Sequence, residues 1–168
     1  MDRAAWLGAV ALVAVGVVGI VWFVVAGRRR STFDWDHELS RQAADARWFA
    51  DDLAPAVADP QRAASDAAAA WRRNIAAVLS TERVLERLAD TAADPQRAAT
   101  AEKLALASSD LRDAIDAHLR LRLGEAPPHP GRSDEQALAD SAATVTARRT
   151  VLHDDLAAIP LPPIAPSR

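Results

Sequence analysis

The heptapeptide "ADPQRAA" stands at Ala58 to Ala64 and again at Ala93 to Ala99, and its reading decides how many helices the chain holds and where they begin. Aspartate is a preferred N-cap, and the proline after it suits the first helical position, where its missing N–H would be unpaired anyway. Each copy therefore announces a helix start, with Asp59 and Asp94 as caps. The first copy leads into Trp71, Ile75, Val78, Leu85 and Leu88, the second into Leu104, Leu111, Ile115 and Leu119. Shifted by thirty-five positions, the first apolar set coincides with the second chain stretch only at Leu106 and Leu123. The caps repeat and the buried faces do not. The thirty-five-residue spacing is close to that of tetratricopeptide-type repeats, but each unit holds one long helical run, so a solenoid is rejected.

Outward from this pair, Asp34 to Ala54 carries Trp35, Leu39, Ala46, Phe49 and Leu53 on one helical stripe. Pro55 is expected to end that helix, because it disfavours helical geometry at Ala54 and lacks a donor. Trp48 and Phe49 are neighbours and cannot both face inward, which makes one of them a candidate contact residue. A last helix opens at Ser133, with Gln136 completing a capping box after "PPHPG". Its Leu138, Val145, Leu152 and Ile159 form a seven-residue ladder, read as a coiled-coil-like seam. The expected helices are 34–54, 60–91, 95–124 and 134–158, in an all-α, antiparallel, up-and-down four-helix bundle spanning 34–158, with the middle pair taller than the outer pair. The proline-rich residues 159–168 are expected to be a disordered tail.

Composition fits this plan. Forty alanines, no tyrosine, no cysteine and three phenylalanines favour long, closely spaced helices over a thick core. Sulfur chemistry is excluded. Nineteen arginines against one lysine reflect GC-rich bacterial codon usage.

Ahead of the bundle, after a short tail 1–5, Trp6 to Ala26 runs without a charge, amide or hydroxyl. At 1.5 Å per residue it reaches about 31 Å, so 6–27 is expected to be a transmembrane helix. Trp6 and Trp22 sit where indoles prefer the interface. Arg28, Arg29 and Arg30, in a basic juxtamembrane segment 28–33, would hold the following chain on the cytoplasmic side, with the N-terminus outside and membrane lipid as partner. A cleaved signal peptide fits less well, because the charge follows the apolar run. Small residues Ala5, Ala9, Gly16 and Gly19 share one face of the span and offer a helix–helix contact. After residue 30 the chain holds 22 acidic and 16 basic residues, a net charge of −6. Nucleic acid is therefore not an expected partner.

No catalytic, cofactor or metal residues emerge. "HELSR" at His37 places arginine where a zinc-helix motif needs its second histidine. No Glu-x-x-His occurs, as a di-metal bundle would require. Ser108 and Ser109 lack a glycine elbow or an activating base. His118 lies on an apolar stripe, as a bundle-edge residue or a pH-sensitive group. The expectation is a non-enzymatic, membrane-anchored scaffold on the cytoplasmic face, binding a protein partner or a second copy. The alternative is an extracytoplasmic sensory or ligand-binding bundle in the opposite topology.

Overall fold

The structure, a computed structural model, describes residues 34–126 and 133–159. Backbone contacts divide the chain into Met1–Asp36 and His37–Arg168. Of the first unit only 34–36 are described, and they are helical. Among the described residues the second unit holds four helices. Helix α1 covers 37–58 and includes a π-turn at Phe49–Leu53. The others are α2 (Ala64–Asp90), α3 (Pro95–Arg122) and α4 (Asp134–Ala157). No strand occurs among the described residues.

The arrangement is antiparallel, as its cross-links show. Lys103 pairs with Asp155 at 2.5 Å and Asp110 with Arg148 at 3.0 Å, while His118 meets Ser141 at 2.8 Å. As α3 ascends from 103 to 118, α4 descends from 155 to 141, which fixes one register over most of their length. On the other flank of α4, the Arg149 Nε donates to the Ala50 carbonyl at 2.7 Å. The Arg47 Nη2 donates to the carbonyls of Leu156 and Ile159 at 2.7 and 2.6 Å. The Leu156 carbonyl lies in the last turn of α4, where carbonyls lack the usual N–H four residues on, and it also receives the Ile159 N–H at 3.1 Å. Arg47 therefore stitches α1 to the end of α4 and fixes Ile159, which is buried. The expected disordered tail starts too early by one residue; 160–168 lie outside the described residues.

The core is built from alanine and leucine. Ala43, Ala46, Ala50, Ala54, Ala67 and Ala101 are essentially without solvent contact, and Leu85, Leu104, Leu111, Ile115, Leu152 and Leu156 supply the bulk. Small side chains at facing positions let helix axes approach closely, while each leucine removed from water stabilises by about 1.5–3 kcal/mol. In α4 the buried stripe is Ala137, Val145, Leu152 and Leu156. Leu138, the first rung of the expected ladder, is half exposed. The seven-residue spacing is thus the narrow inner stripe of a helix in a four-helix arrangement, and not the seam of a coiled coil.

Two boundaries differ from the sequence reading for reasons visible in the backbone. Pro55 does not end α1, which continues to Ala58. Immediately before the proline the helix widens, and the Ala54 N–H reaches back to the Phe49 carbonyl, five residues away. A proline ring in a helix collides with the carbonyl four residues earlier and leaves it unpaired; the wider turn relieves that crowding. Helix α3 stops before Gly124, whose φ of 70° is the left-handed value that favours glycine. Glu125 N–H closes the helix end on the Arg120 carbonyl at 2.9 Å. With 27 and 28 residues, α2 and α3 are only slightly longer than the 24 residues of α4, so the middle pair is not markedly taller.

Among the described residues no helix is long and apolar enough to cross a membrane. The expected transmembrane helix 6–27, its anchors Trp6, Trp22, Arg28, Arg29 and Arg30, and the small face Ala5, Ala9, Gly16 and Gly19 lie outside the described residues. The membrane-anchored reading, in either orientation and with its lipid partner, therefore gives way to an all-α four-helix arrangement. The described helices carry exposed charged residues, as Lys103, Asp110 and Arg148 do along α3 and α4.

Candidate functional site

The two copies of the heptapeptide take different structures. At the second, the Asp94 carboxylate receives the Arg97 N–H at 2.9 Å and Pro95 occupies the first helical position. That backbone bond, foremost, holds the Asp94 carboxyl below its usual range. At the first copy the helix does not begin at Pro60. Asp59 ends α1, its carboxylate receiving the Gln61 N–H at 2.9 Å, while its carbonyl accepts from Arg62 N–H at 3.2 Å. Helix α2 starts at Ala64, after Ala63, with no side-chain cap. Arg122 explains the difference. Its guanidinium, at the end of α3, donates to the Val57 carbonyl at 3.0 Å and to the Arg62 carbonyl. A helix begun at Pro60 would turn the Arg62 carbonyl inward, to the N–H four residues on. At Ser133 both halves of the capping box with Gln136 are present, each at 3.3 Å.

None of these caps forms a site, and a different set of residues does. A cleft of about 290 Å³ opens between α1 and α2 above the π-turn. Helix α1 contributes Arg41, Gln42, Asp45, Ala46, Trp48 and Phe49; α2 contributes Ala77, Val78, Ser80, Thr81 and Val84; α3 reaches in with Ser108. Alanine at 46 and 77 leaves space that a larger side chain would fill. Phe49 is buried and stacks on Trp71, ring centroids 6.0 Å apart at 28°. Its neighbour Trp48 points outward and is 39% exposed. The sequence could pose that choice between adjacent aromatics; the packing of Phe49 on Trp71 settles it.

The cleft has polar walls. Gln42, Thr81 and Ser108 are all buried, Ser108 at 1% exposure. The Ser108 Oγ makes no hydrogen bond among the described residues. Leaving a buried hydroxyl unpaired costs about 1–3 kcal/mol, so such atoms mark places where something else completes the bonding. At the rim, Arg41 donates to the Glu38 carboxylate at 2.7 Å, and Gln42 donates to the same oxygen at 2.8 Å. Asp45 has no ion pair or hydrogen bond among the described residues. In the sequence Ser108 stands out only as a serine without catalytic partners. The signal was its place on the apolar stripe of α3, one turn after Leu104 and one before Leu111 and Arg112.

A second polar pair lies elsewhere, and its chemistry is not that of a nucleophile. Ser141 Oγ donates to the Leu138 carbonyl at 2.8 Å, which commits its one proton. His118 Nδ1, 2.8 Å from the same oxygen, must then carry the hydrogen and donate it. Burial, aided by the Arg122 charge, lowers the His118 pKa and keeps the ring neutral, with Nε2 buried and unpartnered. Between α2 and α3, Glu82 is 6% exposed with Oε2 3.4 Å from Arg112 Nη1. Burial raises the Glu82 pKa, against the pull of Arg112.

Among the described residues no three or more histidine, aspartate or glutamate side chains converge as metal ligands would. Comparison with protein-family models, with characterised proteins and with solved structures finds no match to this chain.

Proposed function

We propose that this chain is a ligand-binding helical module without catalytic chemistry, and that its site is the cleft between α1 and α2. The observation that carries the proposal is the buried, unpartnered Ser108 hydroxyl at a cleft bordered by an exposed indole. At about 290 Å³ the cleft suits a small molecule, since ligand pockets begin near 300 Å³ and usually combine apolar walls with a few polar groups. The π-turn at Phe49–Leu53 supports the same reading, because single π-turns recur at functional sites. A catalytic role finds no support in the cleft, where no histidine or lysine accompanies Ser108 or Thr81 as an activating base.

The test is a screen of small polar fragments against the full chain by amide and indole NMR. Binders are expected to shift the Trp48 indole and the Ser108 amide together, and Trp48→Ala to weaken them. A broad panel that leaves both signals unmoved at millimolar concentration would falsify the assignment.

A further inference from the structure

We propose that the ligand of the cleft is a small organic cation, an alkylammonium that also carries a hydroxyl group; this rests on the assignment of the cleft as a binding site. Two charged side chains line it. Arg41 is engaged by the Glu38 carboxylate at 2.7 Å, which cancels its charge locally. Asp45, one helical turn before Trp48, has no cationic partner among the described residues. Residues three apart on a helix share a face, and both line the cleft. A carboxylate and a partly exposed indole lining one cleft, as Asp45 and Trp48 do, are the pairing that attracts an ammonium, by Coulomb interaction and by the ring quadrupole.

The remaining polar groups fit the other end of such a molecule. Thr81 and Ser108, which line the cleft, carry neutral hydroxyls, able to donate to or accept from an alcohol. Neither offers the fixed positive charge that a carboxylate or phosphate ligand needs, and Arg41 is taken. The acidic balance of the chain after residue 30, −6, favours the approach of a cation over that of an anion.

Choline is a suitable probe, because it joins a quaternary ammonium to a hydroxyl, and its neutral carbon isostere 3,3-dimethylbutan-1-ol keeps the shape without the charge. Titrations of the full chain by calorimetry, with the NMR fragment screen run in parallel, separate the outcomes. Choline is expected to bind about tenfold more tightly than the isostere, to shift the Trp48 indole, and to lose most of that advantage in Asp45→Asn. Because Asp45 is exposed, this variant is expected to fold, and its circular dichroism and thermal midpoint provide the control. Equal binding of choline and isostere, or fragments that bind the cleft while choline does not, overturns the cation assignment and leaves the cleft as a binding site. No binding by any probe overturns both.

Discussion

The indole Nε1 of Trp71 on α2 donates to the Asp116 carboxylate on α3 at 2.5 Å, while the face of the same ring stacks on Phe49 of α1. One side chain thus joins three helices, by a charge-assisted hydrogen bond and an aromatic contact. Trp71→Phe keeps the stack and removes the bond. It is expected to cost about 1–2 kcal/mol, toward the lower end for bonds to charged groups because Asp116 is only half buried. Trp71→Ala should cost about 3–5 kcal/mol. Urea denaturation checks both; a Trp71→Phe variant as stable as the wild type would show that the hydrogen bond contributes nothing, and equal losses in the two variants that the aromatic packing adds nothing to it.

Identical heptapeptides should respond differently to the same substitution. Asp94→Ala removes an N-cap and is expected to lower the thermal midpoint by about 2–5 °C. Asp59→Ala removes only a local turn bond to Gln61, and the connection stays held by Arg122. Its midpoint should move by no more than about 1 °C. Thermal melts of the two variants side by side decide this; equal shifts would mean that Asp59 acts as a cap after all.

Burial lowers the pKa of His118 below its ordinary 6.5. A histidine of this kind binds its proton more readily in the unfolded chain, so the stabilising contribution is complete above pH 6.5 and falls away as the pH drops through 6.5 toward the folded-state value. Protonation would also give the buried Nε2 a hydrogen with no acceptor and set a charge beside Arg122. His118→Leu should therefore flatten the stability profile between about pH 7 and pH 5. Chemical denaturation at half-unit pH steps reads the difference in slope.

Glu82 bends the profile the other way. Burial raises its pKa above 4.5, so the folded state holds the proton more tightly than the unfolded chain. Stability is fullest below pH 4.5 on this account and declines as the pH rises through the folded-state value. Glu82→Gln removes that decline. Arg112 would still hold Asp113 at 3.0 Å and Ser109 at 2.8 Å, so the variant should be at least as stable as the wild type at pH 7. A marked loss there would show that the Glu82–Arg112 attraction outweighs the desolvation of the carboxylate.

Local chemistry made much of the helical plan readable. The stripes of Leu104, Leu111, Ile115 and Leu119 and of Val145 and Leu152 need only a 3.6-residue period, and the bonds of Asp94 and Ser133 use atoms within three residues of the cap. The cleft was not readable in that way. Gln42, Thr81 and Ser108 come from three helices and form no spaced motif; their meeting depends on the register of those helices.

The sequence by itself determined an all-α chain with four helices after residue 33, because alanine, apolar period and cap residues act over a single turn or two. Tertiary structure alone decided the rest. Identical residues at 58–64 and 93–99 became a turn and a helix start because Arg122 reaches the first copy from sixty residues away. Trp48 faces outward because Phe49 finds Trp71. Helix α1 passes through Pro55 because the chain widens to accommodate it. Each outcome rests on partners distant in sequence or on the conformation of a whole turn, which no local pattern of residues records.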